Sequence, residues 1–248
     1  MHKFYVNGIG YADQKISITG EDVNHIKNVL RMKPGEKIIV GSDDKKDYIC
    51  NISSINDEFI VADIIDIENS VTELPVNITL YQGMPKSDKM DFIIQKTIEL
   101  GVFKIIPVMM DRSVVKLDEN KMQKKCERYN GIAKSAAKQS GRGIVPEVGP
   151  FMTFSDAVIY AQKNRQELIV PYESAEGIDY TRKVFEEISE KNNRNVGIFI
   201  GPEGGFSNME IETAKIAGAK IITLGHRILR TETAGMCVLS ILGYLLEN

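Results

Sequence analysis

The sequence predicts an α/β protein: a mostly parallel sheet covered by helices in the larger C-terminal part, after a small β-barrel that carries one helix. Three observations predict it. From residue 76 onward, near-continuous apolar runs (VNITLYQG, FKIIPVM, ELIVPY, VGIFI, KIITL) alternate with helical segments, as parallel strands buried on both faces require. Residues 1 to about 70 hold short β-like runs separated by turn signals. Between the two patterns SVTELP reads as a connector, with Pro75 restricting the chain before the next strand. The expected domains are 1–72 and 73–248.

In the first part the strands are KFYV, KISI, KIIVG, DYICNIS and EFIVADII, divided by Asn7-Gly8, Pro34-Gly35, Ser42-Asp43-Asp44 and Asn56-Asp57. The one helix, EDVNHIKNVLRM, places Val23, Ile26, Val29 and Leu30 on one face. In the second part SDKMDFIIQKTIELG is a helix with Ser87 as N-cap and Gly101 at its C-terminal end. A long basic helix covers about 119 to 139, TFSDAVIYAQKN and IDYTRKVFEEISEK are further helices, and NMEIETAKIAG follows the strand VGIFI. Ser207 and Glu210 have capping-box spacing at the start of that helix. The last helix, capped by Thr231 or Thr233, runs to about Leu246 and is apolar nearly all round. It must be covered on more than one side, by its own domain or by a second subunit.

Composition excludes several classes. No apolar run approaches the ~18 residues that span a bilayer. MHKFYVNGIG lacks the apolar stretch of a secretory signal, and a cytoplasmic location is expected. Cys50, Cys126 and Cys237 are odd in number and far apart, so they read as reduced thiols, and no histidine lies near them to suggest a metal. A net charge of −3 argues against nucleic acid, yet residues 121–142 hold seven Lys/Arg against one Glu. That segment is either a solvated helix face or a phosphate-contacting one.

Two segments carry chemistry. After VGIFI, the loop GPEGGF leads into a capped helix, which can bring backbone N–H groups close to a ligand or can be only a tight turn. Its spacing is not G-x-G-x-x-G, and no acidic residue ends the next strand, which disfavours a dinucleotide. No Lys-Ser/Thr pair follows to make a phosphate-binding loop. The second segment, LGHRILRTETAG, sets Arg227, Arg230 and Glu232 after a strand end, where α/β sheets place ligands. Those charges are either an internal ion-pair network or an anion-facing arginine with a glutamate that orients or deprotonates a substrate.

IGPEGGFSNMEI followed by LGHRILRTETA resembles the signature pair of the ribosomal RNA small-subunit methyltransferase E family, knotted enzymes of the SPOUT superfamily. HIKNVLRMKPGE, KSDKMDFIIQKTIELGV and AAKQSGR extend the resemblance over essentially the whole chain, in the right order. It implies a PUA-like RNA-binding barrel, a C-terminal domain with a deep trefoil knot, and a homodimer, which tilts the last helix towards a subunit interface. It implies S-adenosylmethionine as cofactor and N3 of a uridine in small-subunit ribosomal RNA, naked or assembled, as target.

The cofactor residues carried over by the resemblance are Gly201, Pro202, Glu203, Gly204 and Gly205 in one loop and Leu224, Gly225, Ile228 and Leu229 in the other. The strand end at Pro171 and Tyr172 supplies a third piece. Charge chemistry then assigns Arg230 to stabilising the uracil or a flanking phosphate, and Glu232 to acting as base or orienting Arg230. The RNA face is expected to combine Lys27 and Arg31 with Lys86, Lys89, Lys134, Lys138 and Arg142. Rival functions are a ribose 2′-hydroxyl methyltransferase, a non-enzymatic RNA-binding assembly factor, and, disfavoured by the glycine spacing, a nicotinamide-dependent oxidoreductase.

Overall fold

The computed structural model describes residues 1–9, 14–86, 88–115, 117–173, 175, 177–190 and 195–247. The chain divides into two compact units: Met1–Glu73 with Ala137–Val145, and Leu74–Ala136 with Pro146–Asn248.

The first unit is built on β1 (His2–Tyr5), β2 (Lys15–Thr19), β3 (Lys37–Gly41), β4 (Lys46–Ile55) and β5 (Phe59–Asn69). They form one sheet in the order β1-β3-β4-β5-β2. β1 and β3 run parallel, and the other pairs are antiparallel. Period-2 alternation sends Phe4, Ile16, Ile18, Ile38, Val40, Tyr48, Cys50, Ile52, Ile60 and Ala62 into one core. The two longest strands, β4 and β5, change register between Ile49 and Cys50 and between Ile52 and Ser54, the irregularity that lets a sheet curl. The expected helix is α1 (Glu21–Asn24) followed directly by a π-helical turn (His25–Val29). Val23 and Ile26 enter the core, while Val29 is exposed.

The unit takes in residues 137–145, which the expected boundary at 72/73 assigns to the other domain. Tyr5 Oη lies 2.6 Å from the carbonyl oxygen of Arg142 and 3.0 Å from that of Ala137. Arg142 is 2% exposed, and its Nε and Nη2 meet the two Glu73 oxygens at 2.8 and 2.6 Å. Arg142 is therefore not part of an RNA face. A desolvated guanidinium needs a fork-shaped acceptor, and Glu73 supplies it from the end of the first continuous stretch of the same unit.

The second unit has a sheet in the order β12-β10-β11-β6-β7-β8, with β9 also paired to β7. Its strands are β6 (Asn77–Gly83), β7 (Lys104–Met109), β8 (Glu147–Val148), β9 (Met152–Thr153), β10 (Glu167–Pro171), β11 (Asn195–Ile200) and β12 (Lys220–Ile222). Every pair is parallel, as the unbroken apolar strands predict. The helices are α2 (Lys89–Glu99), α3 (Glu119–Ser140), α4 (Phe154–Lys163), α5 (Ile178–Glu190), α6 (Asn208–Ile216) and α7 (Thr231–Leu246). The last residues of α3, from Ala137, count with the first unit. Ser87, the expected cap of α2, lies outside the described residues. Among the described residues no helix is long and apolar enough to cross a membrane.

One aromatic cluster sits beneath the glycine loop. Tyr81 and Phe199 stack at 4.2 Å, Phe154 meets Phe199 edge-on at 5.5 Å, and Phe206 meets Phe154 at 6.1 Å. Phe206 is the last residue of GPEGGF and is 4% exposed, so it anchors the loop in the core.

Candidate cofactor cavity and active site

Three parallel strands, β10, β11 and β12, end side by side, and the loops that leave them enclose a cavity of about 700 Å³. Drug-sized ligands occupy cavities of this order, and carboxyl ends of parallel strands are where such sheets bind them. All eleven residues assigned to the cofactor line it: Pro171 and Tyr172 after β10, Gly201 to Gly205 after β11, and Leu224, Gly225, Ile228 and Leu229 after β12. The walls are unequal. Ile228 is 83% exposed, whereas Pro202 and Phe206 are buried.

The glycine loop is held from several directions. Gly205 has φ +68, a left-handed conformation that glycine adopts without a Cβ penalty. Gly83, at the end of β6, comes so near the loop that a Cβ there would lie 2.7 Å from the Pro202 nitrogen. The expected capping box is present: Ser207 Oγ accepts from the Glu210 N–H at 3.3 Å, and Glu210 Oε2 accepts from the Ser207 N–H at 2.7 Å. Glu210 Oε1 also accepts from the Asp111 N–H at 3.0 Å, and Arg112 Nη1 donates to the Gly204 carbonyl at 3.0 Å. The turn at 111–113 thus lies against the loop, and Arg112 lines the cavity.

The last helix is tied to the same loop. Its N-cap is Arg230, which makes no side-chain cap bond, so neither threonine caps the helix as expected. The Thr231 hydroxyl instead donates to the Gly201 carbonyl at 2.6 Å and accepts from Gln82 Nε2 at 2.8 Å. A position read as a cap is a cross-link between β6, the glycine loop and α7.

Arg230 projects outward, its side chain 81% exposed, whereas that of Glu232 is 16% exposed. Arg230 Nη1 and Glu232 Oε1 are 4.0 Å apart, at the limit of an ion pair. The nearer cation is Lys89, whose Nζ lies 3.4 Å from Glu232 Oε2 and 3.0 Å from Glu203 Oε1. Hydrogen bonding to Glu203 holds the Lys89 ammonium above the usual lysine range. At Glu203 burial acts to raise the carboxyl, but bonds from Lys89 and from the Glu203 and Lys86 backbone N–H groups outweigh it and lower it.

The residues expected on an RNA face have varied surroundings. Lys89 lines the cavity, committed to two carboxylates. Lys27 pairs with Asp57, and Lys138 pairs with the buried Asp22. Lys86 and Arg31 are exposed and Lys134 is half-buried. Arg31 sits at φ +54, uncommon for a non-glycine residue. Among the lining residues, sequence reasoning missed Arg112, Thr231 (with its partner Gln82) and the cavity role of Lys89. Each is defined by a partner remote in sequence, and no local pattern marks it.

Fold and cavity together define a class: a unit with a curled, mostly antiparallel sheet, and a unit whose parallel sheet opens a ligand cavity at its strand ends. Residues 72–243 match the RNA methyltransferase domain family, and residues 18–65 match the RNA methyltransferase PUA domain. The ribosomal RNA small subunit methyltransferase E of Bacillus subtilis (strain 168) is 38% identical over 93% of this chain and 90% of its own length. That of Buchnera aphidicola subsp. Schizaphis graminum is 32% identical over 97% of this chain and 94% of its own. The crystal structure of the Neisseria gonorrhoeae ribosomal RNA small subunit methyltransferase E bound to S-adenosyl methionine superposes with a TM-score of 0.82. It is 31% identical and is matched over 99% of this chain and 98% of that one. The chain belongs to the ribosomal RNA small subunit methyltransferase E family.

Proposed function

We propose that the protein transfers a methyl group from S-adenosylmethionine to N3 of a uridine in small-subunit ribosomal RNA, at the edge of the cavity between β11 and α7. One observation carries the reading: the three strand-end segments that the family pattern assigns to the cofactor line one cavity of about 700 Å³ beside Arg230. The residues fit the cofactor. Backbone groups of Gly201–Gly205 and the aliphatic Leu224 and Leu229 suit an adenine.

When bound, the cofactor supplies an electrophilic methyl on sulfur. N3 of uracil forms the new bond to that carbon as the carbon–sulfur bond breaks, sulfur keeps the electron pair, and the N3 proton leaves. Arg230 places a cation where charge grows on the uracil carbonyls or beside a flanking phosphate. Glu232, 4.0 Å from Arg230, is able to take the proton or to orient the guanidinium. The target base must be unpaired or flipped for N3 to be reached.

Exposed Lys86 and Arg31, with Lys134, supply phosphate contacts that set register, so affinity for RNA should fall as salt is raised. The trefoil knot of the superfamily would involve the two cofactor loops. A homodimer would cover Tyr244 and Leu245, which α7 leaves 84% and 40% exposed. In this reading the expected division near 72/73 separates RNA docking from methyl transfer, with residues 137–145 counted in the first unit.

Titration calorimetry with S-adenosylmethionine and NADH, together with transfer of labelled methyl to small-subunit particles and naked RNA, tests the reading. Heat with the first ligand alone, plus labelled RNA, is expected. Binding without transfer would make the protein an assembly factor instead.

A further inference from the structure

We infer that Lys89 is a positioning residue of the methyl-transfer site: its ammonium ties Glu203 of the glycine loop to Glu232 of the last helix and fixes where Glu232 stands relative to Arg230. The inference rests on the proposed function of this cavity and adds a residue to it.

Lys89 is well placed to hold both groups. It is the first residue of α2, whose Met90, Ile93, Ile94, Thr97 and Ile98 are buried, so its backbone is fixed by packing. The same helix start makes a second attachment to the loop, because the Lys86 N–H lies 3.2 Å from both oxygens of Glu203. Lys89 Nζ then reaches Glu203 Oε1 at 3.0 Å and Glu232 Oε2 at 3.4 Å.

Glu232 depends on that contact. Its Oε2 is shielded from solvent, and among the described residues the Lys89 ammonium, 3.4 Å away, is its ion-pair partner. Among the described residues the other cation in reach is Arg230, 4.0 Å from Oε1, on a side chain that is 81% exposed. Two carboxylates converging on one ammonium repel each other when it is removed, and a shielded carboxylate must then find a new cation or water. For Glu232 the cation at hand is Arg230. Without Lys89, Glu232 would close on the arginine that has to meet the substrate. Lys89 itself, engaged by two carboxylates, acts through Glu232 rather than on the reacting atoms.

The test is a kinetic cycle with K89M, K89R, E232Q and K89M/E232Q, measuring kcat on small-subunit RNA and the Kd for S-adenosylmethionine by calorimetry. A misplaced group costs up to ~100-fold, so K89M should lower kcat about 10- to 100-fold while the cofactor Kd moves less than about threefold. K89R should recover most of the loss. In the E232Q background K89M should cost less than about threefold, because two residues that act as one unit do not multiply.

The inference is overturned if K89M leaves kcat within about threefold of the unmodified protein or if the two losses multiply. It is also overturned if the cofactor Kd rises in step with the fall in kcat, since Lys89 would then only support the loop. If K89M does not fold, K89Q against K89R carries the same comparison. The unmodified protein in the same assay separates the two readings: if it transfers no methyl group, the proposed function fails, whatever Lys89 does.

Discussion

Thr231→Val removes one oxygen atom and keeps the side-chain shape, and the structure says what that oxygen does. Thr231 is 6% exposed; its Oγ1 donates to Gly201 O at 2.6 Å and accepts from Gln82 Nε2 at 2.8 Å. Gln82 is fully buried, its other amide hydrogen goes to Gly83 O at 3.0 Å, and its Oε1 has no partner among the described residues. Valine leaves a Gln82 N–H unsatisfied in the interior, which costs about 1–3 kcal/mol. The Gly201 carbonyl is half-buried and loses about 0.5–1.5 kcal/mol, because water replaces part of the bond. The new methyl group recovers about 0.8 kcal/mol of that.

The net loss is about 0.7–3.7 kcal/mol with its centre near 2, which for a chain of this length lowers Tm by about 1–15 °C. Thermal melts and urea titrations read the stability, and a cofactor titration reads whether the glycine loop is still in place. Thr231→Ser keeps the hydroxyl and should cost less than about 1.5 kcal/mol. Adding Gln82→Leu to Thr231→Val should restore much of the loss, since apolar replacement of both partners removes the orphaned group. A Thr231→Val protein as stable as the parent, or a Thr231→Ser protein equally damaged, would refute the cross-link.

Further outcomes follow from other contacts. Arg230→Ala should cut turnover far more than cofactor affinity, because its side chain projects outward; equal turnover would remove it from the mechanism. Arg142→Met should destabilise the first unit by about 3–5 kcal/mol, since the Glu73 carboxylate, 6% exposed, would be left without its cation. Urea titration reads this, and adding Glu73→Leu should recover only part of it, because the Gly143 N–H, 2.7 Å from Glu73 Oε1, would then lose its acceptor. Cys50 has its thiol pushed up to about 11, by burial first and then by the Asp63 carboxylate. A raised folded-state value contributes stability that is intact below the ordinary thiol value near 9 and is lost as pH climbs from there through about 11. Urea titrations at rising pH should show that slope, and Cys50→Ala should flatten it.

The parts of this protein that were legible in its sequence are those written locally. The parallel strands could be read because each is a continuous apolar run, and the Ser207–Glu210 cap because its partners lie three residues apart. The two loops of the cavity were legible for the same reason, since each follows directly on a strand. Two-residue strands such as β8 and β9 carry too few side chains to show a period.

What could not be read is long-range pairing. Arg142 looks like any residue of a basic helix until Glu73, distant in sequence, is found to close on it. Lys89 is likewise one lysine among several in a helix start, until Glu203 and Glu232 are brought beside it. Thr231 has the composition and position of a cap, but Gly201 and Gln82 claim its hydroxyl.

The most direct test of the central claim is nucleoside mapping of small-subunit ribosomal RNA after incubation with the protein and labelled S-adenosylmethionine. Digestion to nucleosides followed by mass analysis separates base from ribose methylation. Label is expected in N3-methyluridine at a single position. Label in a 2′-O-methylated ribose, or none in RNA despite bound cofactor, would contradict it.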